Sequence, residues 1–236
     1  MIARLFYLVI VSSFLMYCSP NTENASTTGE TSVGTEESTM EEDNENILPP
    51  KTGDKKRIIF FGNSLTAAYG LDPQQGFVAL IQKKLDSLGL NYQTVNAGLS
   101  GETTAGGRER VDWILNQPVD IFILELGGND GLRGIDPASS KENLQAIIDA
   151  VRKKYPQAEI ILAGMEAPPN MGQEFTAAFR KMYPDLAQKN DVKLIPFLLE
   201  GVGGESDLNL PDGIHPNEKG HKIVAENIWE VLQPVL

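Results

Sequence analysis

The chain has 236 residues, with 32 Asp and Glu against 20 Lys and Arg and a formal net charge of −12, long enough for one globular domain plus additional segments. The acidity is uneven. Eight acids and no Lys or Arg lie between Ser19 and Pro50, Arg4 is the only charge before them, and residues 51–236 therefore carry −5. A nucleic acid requires a basic face that releases counterions, which neither part offers, so nucleic-acid binding is excluded as a function class.

Arg4 supplies a positive n-region, and Leu5 to Met16 gives twelve mostly apolar residues. That run is too short to span a bilayer and has the length of an export signal's apolar core. It leads into Leu15-Met16-Tyr17-Cys18, and Cys18 is the only cysteine. A lone cysteine forms no internal disulfide, and one inside a signal segment serves no folded site. The tetrapeptide resembles a bacterial lipoprotein lipobox, with Tyr17 bulkier than the usual small residue before the cysteine. The resemblance implies a signal peptide over residues 1–18, lipidation at Cys18, and export to the cell envelope (periplasm or outer membrane). Ser19 favours outer-membrane sorting on the same analogy. The alternatives are an incidental thiol in an ordinary signal peptide and a short anchor that stays uncleaved.

Residues 19–54 are rich in Ser, Thr, Glu, Asn and Gly and almost free of large apolar side chains. Such a segment cannot bury enough surface to offset its ordering entropy, so it is expected to be a disordered tether that its like charges keep extended.

Residues 55–236 alternate between strand and helix patterns. Arg57 to Phe61 (RIIFF) reads as a buried strand ending at Gly62. Phe77, Leu80, Ile81, Leu85 and Leu88 line one helical face that stops at Gly89. Tyr92 to Val95 is the second strand, Thr103 to Leu115 a helix, and Val119 to Leu126 (VDIFILEL) holds the third strand. Leu144, Ile147, Ile148 and Val151 mark a helix before the strand Glu159 to Ala163. A helix near Gln173 to Gln188 leads to the strand Val192 to Pro196, and the last helix runs roughly from Asn217 to Leu232. Five strands alternating with helices predict an α/β fold with a mainly parallel sheet covered on both faces. Ligands of such sheets bind beyond the carboxyl ends of the strands.

The predicted strand ends carry the chemistry. The first strand ends in Gly62-Asn63-Ser64-Leu65-Thr66, which presents a serine hydroxyl at the carboxyl edge, although a serine there also makes an ordinary helix cap. Asn96-Ala97-Gly98-Leu99-Ser100-Gly101-Glu102-Thr103 follows the second strand and suits either a close backbone approach to a ligand or a plain turn. Gly127-Gly128-Asn129-Asp130-Gly131 offers an Asn amide able to donate to an oxyanion, or again a turn. Pro211-Asp212-Gly213-Ile214-His215-Pro216-Asn217 sets a carboxylate three residues before a histidine, where it can turn back to hold the imidazole. His221, the second of two histidines, falls between Lys219 and Lys222 in a predicted helix and is expected to be solvated.

GNSL, NAGLSGET, LGGND and DGIHP, in this order, resemble the four blocks of the SGNH (GDSL) hydrolases, the likeness covering roughly Arg57 to Leu236. ELGGNDGLRG and DGIHPN are similar to the bacterial periplasmic thioesterase/lysophospholipase/arylesterase group. The resemblance implies a three-layer α/β/α, flavodoxin-like hydrolase domain over residues 55–236. Ser64 matches the nucleophile, His215 the general base and Asp212 its orienting acid. Ser64 and Gly101 match backbone oxyanion donors, and Asn129 the side-chain donor. Leu132 and Arg133, within Gly131 to Gly134, match a mobile substrate-covering loop; Pro168, in the Met165 to Asn170 segment, is expected to form another wall. The chain departs from the family word at Asn63, where GDSL has Asp, which should alter local hydrogen bonding more than mechanism. No histidine cluster has ligand spacing, so no metal or other cofactor is expected. The implied activity is hydrolysis of acyl esters or thioesters on small-molecule or lipid substrates; a monomer is the default expectation, which the sequence does not address. A carbohydrate O-acetyl esterase and a non-catalytic surface lipoprotein on the same scaffold stand as alternatives.

Overall fold

The computed structural model describes residues 55–236. The expected signal segment, Cys18 and the acidic tether lie outside the described residues. Five strands form one sheet: β1 (Lys56–Gly62), β2 (Tyr92–Gly98), β3 (Ile121–Glu125), β4 (Glu159–Ala163) and β5 (Lys193–Ile195). Their order is β2-β1-β3-β4-β5, and every pairing is parallel. This is the flavodoxin-like order, whose switch point lies beside β1. Every residue of β3 is buried, as are Ile58 to Gly62 of β1. A strand sealed on both faces has no use for polar alternation, which is why these runs read as continuously apolar.

Six α-helices complete the described chain: α1 (Phe77–Ser87), α2 (Thr104–Ile114), α3 (Gly128–Arg133), α4 (Pro137–Lys154), α5 (Gln173–Asn190) and α6 (Glu218–Leu232). Helix α1 packs against α6, while α2 packs on α4 and α4 on α5, giving the helical layers the α/β pattern requires. The apolar faces read from the sequence are the buried ones: Phe77, Val78, Ile81 and Leu85 on α1, and Leu144, Ile147, Ile148 and Val151 on α4.

The structure differs from the sequence reading in three places. Strand β2 continues past Val95 to Gly98, because Asn96, Ala97 and Gly98 keep pairing with Phe60, Phe61 and Gly62. The segment Gly128–Arg133, expected as a loop, is a short helix closed by Gly134 at φ +65°. His221, expected to be solvated, is 1% exposed. It sits on the α6 face that also buries Val224, Ala225 and Ile228. Its ring lies 5.6 Å from that of Phe77, and its Nδ1 accepts the Phe77 N–H at 3.2 Å. That N–H is an orphan donor of the first turn of α1, whose cap Gly76 provides no side chain.

Burial, and secondly the charge of His215, push the His221 pKa down to about 4. The unfolded chain therefore takes up a proton that the folded one refuses, and stability is lost as pH falls from about 6.5 through 4. The shift corresponds to about 3 kcal/mol. The unfolding free energy of wild type relative to His221→Gln, which does not titrate, should shrink over that window in urea titrations. A constant difference would contradict the assignment.

Candidate active site

Ser64 lies just past the end of β1, after Asn63, in a turn whose Ala67 N–H donates to the Asn63 carbonyl. Gly62 is required at the strand end, since a Cβ there would come within 2.4 Å of the Glu125 carboxylate and 2.2 Å of Thr66 Oγ1. Ser64 is 9% exposed.

Asp212 and His215 arrive on a locally built loop before α6. The Leu210 N–H donates to the His215 carbonyl at 2.7 Å, and Gly213 N–H to the Leu210 carbonyl at 2.9 Å. Asn217, the cap of α6, accepts from Lys219 and Gly220 N–H groups through its oxygen and donates through Nδ2 to the Asp207 and Asn209 carbonyls. The loop is therefore tied to the start of the last helix.

His215 Nδ1 lies 2.7 Å from Asp212 Oδ2, and His215 Nε2 lies 2.9 Å from Ser64 Oγ. Asp212 Oδ1 also accepts the Ile214 and His215 N–H groups at 2.9 and 3.1 Å. Partial burial pulls the Asp212 carboxyl up, but the Ile214 N–H, the His215 ring and the His215 N–H outweigh it and hold the pKa at about 2. An ionised carboxylate only accepts, so Nδ1 carries the proton. In a neutral ring Nε2 is then the acceptor, and the Ser64 hydroxyl donates to it.

The loop after β2 and helix α3 adjoin each other beside this line. Gly101 has φ +81°, and the next residue, Glu102, accepts the Asn129 Nδ2–H on its carbonyl at 2.9 Å. An Asn amide has two N–H groups, so one is used for positioning. Arg110 clamps the Glu102 carboxylate through Nε and a terminal nitrogen, donates to the Ala97 and Gly62 carbonyls, and lies over the Phe61 ring. Asp130, fully buried, accepts the Thr104 N–H and hydroxyl at 2.9 and 2.6 Å and the Ser140 hydroxyl at 2.9 Å, locking α3 to α2 and α4.

Among the residues expected to meet substrate, Leu132 is exposed, and Arg133 donates to the Gly101 carbonyl at 3.0 Å. Pro168 is half-buried, and its neighbour Ala167 lies against Gly131 of α3. Four large apolar side chains stand exposed on the segments that carry the site: Tyr69, Leu99 and Ile214 on loops and Leu132 on α3.

Glu125, at the end of β3, went unnoticed in the sequence although an acid closing an apolar strand is itself a signal. Its carboxylate lies under the Ser64 turn and accepts Asn63 N–H at 3.1 Å, Asn63 Nδ2 at 2.7 Å and Thr66 Oγ1 at 2.8 Å. Asn63 Oδ1 in turn accepts the Leu65 N–H at 2.9 Å. The departure from Asp at position 63 thus places an amide donor, rather than a second carboxylate, on a buried acid. Burial, opposed by these hydrogen bonds, raises the Glu125 pKa to about 7.

The description "GDSL-like Lipase/Acylhydrolase family" belongs to the family model that matches residues 60–223. The chain is 41% identical over 191 residues to "Esterase TesA" of Pseudomonas aeruginosa, a match covering 80% of this chain and 94% of that protein. It is 36% identical over 180 residues to "Thioesterase 1/protease 1/lysophospholipase L1" of Escherichia coli K12, covering 76% and 84%. The crystal structure of AlinE4, described as an SGNH-hydrolase family esterase, superposes with a TM-score of 0.65 at 38% identity, covering 78% of this chain and 98% of that one.

The sign of the Glu125 shift is opposite to that of His221. A carboxyl raised from 4.5 to about 7 contributes stability that is present below 4.5 and lost as pH rises through 7. The advantage of wild type over Glu125→Gln in unfolding free energy should therefore narrow by about 3 kcal/mol between those values. An advantage that widened with pH would show Glu125 to be stabilised in its ionised form.

Proposed function

The chain belongs to the GDSL-like lipase/acylhydrolase family and is a carboxylic ester hydrolase; from that premise we propose that it works through an acyl-enzyme on Ser64 and acts on esters with an apolar acyl chain or leaving group. The observation that carries the mechanism is the line from Asp212 through His215 to Ser64, closed at 2.7 and 2.9 Å. Ser64 alone is a weak nucleophile and needs an adjacent base. As Oγ bonds to the acyl carbon, its proton passes to His215 Nε2, and Asp212 holds the imidazolium in place. The Ser64 N–H, the Gly101 N–H and the remaining Asn129 N–H receive the oxyanion. His215 then protonates the departing alcohol or thiol. Water deprotonated by the same imidazole releases the acid and restores Ser64.

The apolar substrate class rests on the exposed Leu99, Leu132 and Ile214, because large apolar groups left in water around one site mark a binding surface. Leu132, Arg133 and Pro168 are taken as substrate-contacting residues, Arg133 offering a cation to an anionic head group. Lysophospholipids, aryl esters and acyl thioesters are the candidate substrates, and an exported enzyme meets lipid or aryl esters more often than intracellular thioesters. The same proposal takes residues 1–18 as an export signal, Cys18 as the lipid attachment point and residues 19–54 as the tether of a monomeric enzyme at the cell envelope.

Purified protein assayed on p-nitrophenyl esters from acetyl to palmitoyl should favour medium or long chains. Ser64→Ala should abolish turnover, and Asn129→Ala should lower kcat by about 10²–10³. Activity on acetate alone would replace this substrate class with carbohydrate deacetylation. Full activity in Ser64→Ala would remove the proposed nucleophile.

A further inference from the structure

The chain beyond Ser64 is folded back on itself with unusual backbone geometry. Ala68 N–H donates to the Leu65 carbonyl, Tyr69 N–H to the Ser64 carbonyl at 3.0 Å, and Leu71 N–H to the Ala68 carbonyl. Ala68 takes φ +57° although it is not a glycine, and it is 1% exposed. Gly70 follows at φ +80°. A non-glycine residue persists in the left-handed region only where its surroundings over-determine it. Here the Ala68 methyl is packed against Gly76 so closely that a Cβ on Gly76 would come within 2.5 Å of it. The outcome of this strained turn is the placement of one ring. Tyr69 lies over His215 with centroids 4.6 Å apart and planes tilted by 39°.

We propose that Tyr69 is a positioning residue for ester hydrolysis: its ring braces the face of His215, keeping Nε2 on Ser64 Oγ, and favours the imidazolium formed during acyl transfer. The proposal rests on the reading of Ser64 as nucleophile and His215 as base. Asp212 fixes the imidazole at Nδ1 but leaves it free to swing about that hydrogen bond, and Tyr69 opposes the swing from one face. The same residue is bonded through its backbone N–H to the Ser64 carbonyl, so nucleophile and base are registered to one another by a single residue. When the proton moves from Oγ to Nε2 and the carbonyl π pair moves to oxygen, the ring on which Tyr69 lies becomes a cation. An aromatic face attracts that cation more than it attracts the neutral imidazole. The contact is therefore stronger in the transition state than in the ground state, the condition for raising kcat rather than binding.

Tyr69 is 52% exposed, so substitution should leave the fold intact, and melting temperatures of the variants verify this. Wild type, Tyr69→Phe, Tyr69→Leu and Tyr69→Met are compared as full chains. The two readouts are the rate at which an alkyl fluorophosphonate modifies Ser64, followed by intact mass, and kcat and KM on a p-nitrophenyl ester. Phosphonylation uses the same step, with Oγ bonding to phosphorus, fluoride leaving and the proton passing to His215, but needs no acyl-chain recognition. Tyr69→Phe, which retains the ring, should stay within about twofold of wild type. Tyr69→Leu and Tyr69→Met should lose about 3- to 30-fold in both the phosphonylation rate and kcat, with KM little changed. Leu and Met variants as fast as wild type would overturn the proposal. So would a Phe variant as slow as they are, or an effect confined to KM. A wild type whose Ser64 is not modified at all would instead remove the nucleophile assignment beneath it.

Discussion

Ser64 and His215 stand 151 residues apart, yet Oγ and Nε2 meet at 2.9 Å. That contact depends on the parallel sheet. With β1 between β2 and β3 and all three strands pointing the same way, the turns that leave their carboxyl ends share one edge. The Ser64 turn, the Gly101 loop and the Asn129 helix are those three exits. The fourth component comes from outside the sheet: a loop braced by its own backbone bonds and by Asn217 carries Asp212 and His215 over the same edge. Chain connectivity is irrelevant to such a site once strand direction and order are fixed.

Beneath Ser64, His215 and Asp212 lies a layer of buried polar groups. Glu125 holds the Ser64 turn, the Arg110–Glu102 pair holds the loop that bears Gly101, and Asp130 locks α3 to its neighbours. Each of these groups is costly to bury unless fully hydrogen-bonded. Among the described residues no buried side-chain nitrogen or oxygen lacks a partner. A layer of this kind makes the backbone around Ser64 stiff, because moving any one donor leaves a buried acceptor unsatisfied.

Much of this was legible in the sequence for a simple reason: β1 and β3 are buried on both faces, so RIIFF and VDIFILEL stand out as apolar runs followed by glycine. The four blocks could be found because they follow one another in the family's order, although the first three taken alone read equally well as a cap or a turn. The unread parts have a common cause as well. His221 looked solvated because lysines sit at 219 and 222, yet its spacing of three, four and seven from Val224, Ala225 and Ile228 put it on the buried face. Helix α3 was hidden because its Gly, Asn and Asp residues favour turns locally and are held helical by Asp130 and the packing of α4. Tyr69 and Glu125 meet their partners only after folding, across 146 and about 60 residues, and no local pattern announces such pairs.

The pieces combine into the account proposed above: an edge of aligned strands gathers the loops, a satisfied polar layer fixes them, and the proposed nucleophile Ser64, activated through His215, would attack an ester with an apolar group. The most direct measurement mixes the enzyme with a p-nitrophenyl ester, quenches in acid within the first turnover, and maps the modified peptide by mass spectrometry. The account predicts a single acyl group of the substrate's mass on Ser64, absent after full turnover. Rapid product formation with no acyl group on Ser64 at any quench time, or an acyl group on another side chain, would contradict it.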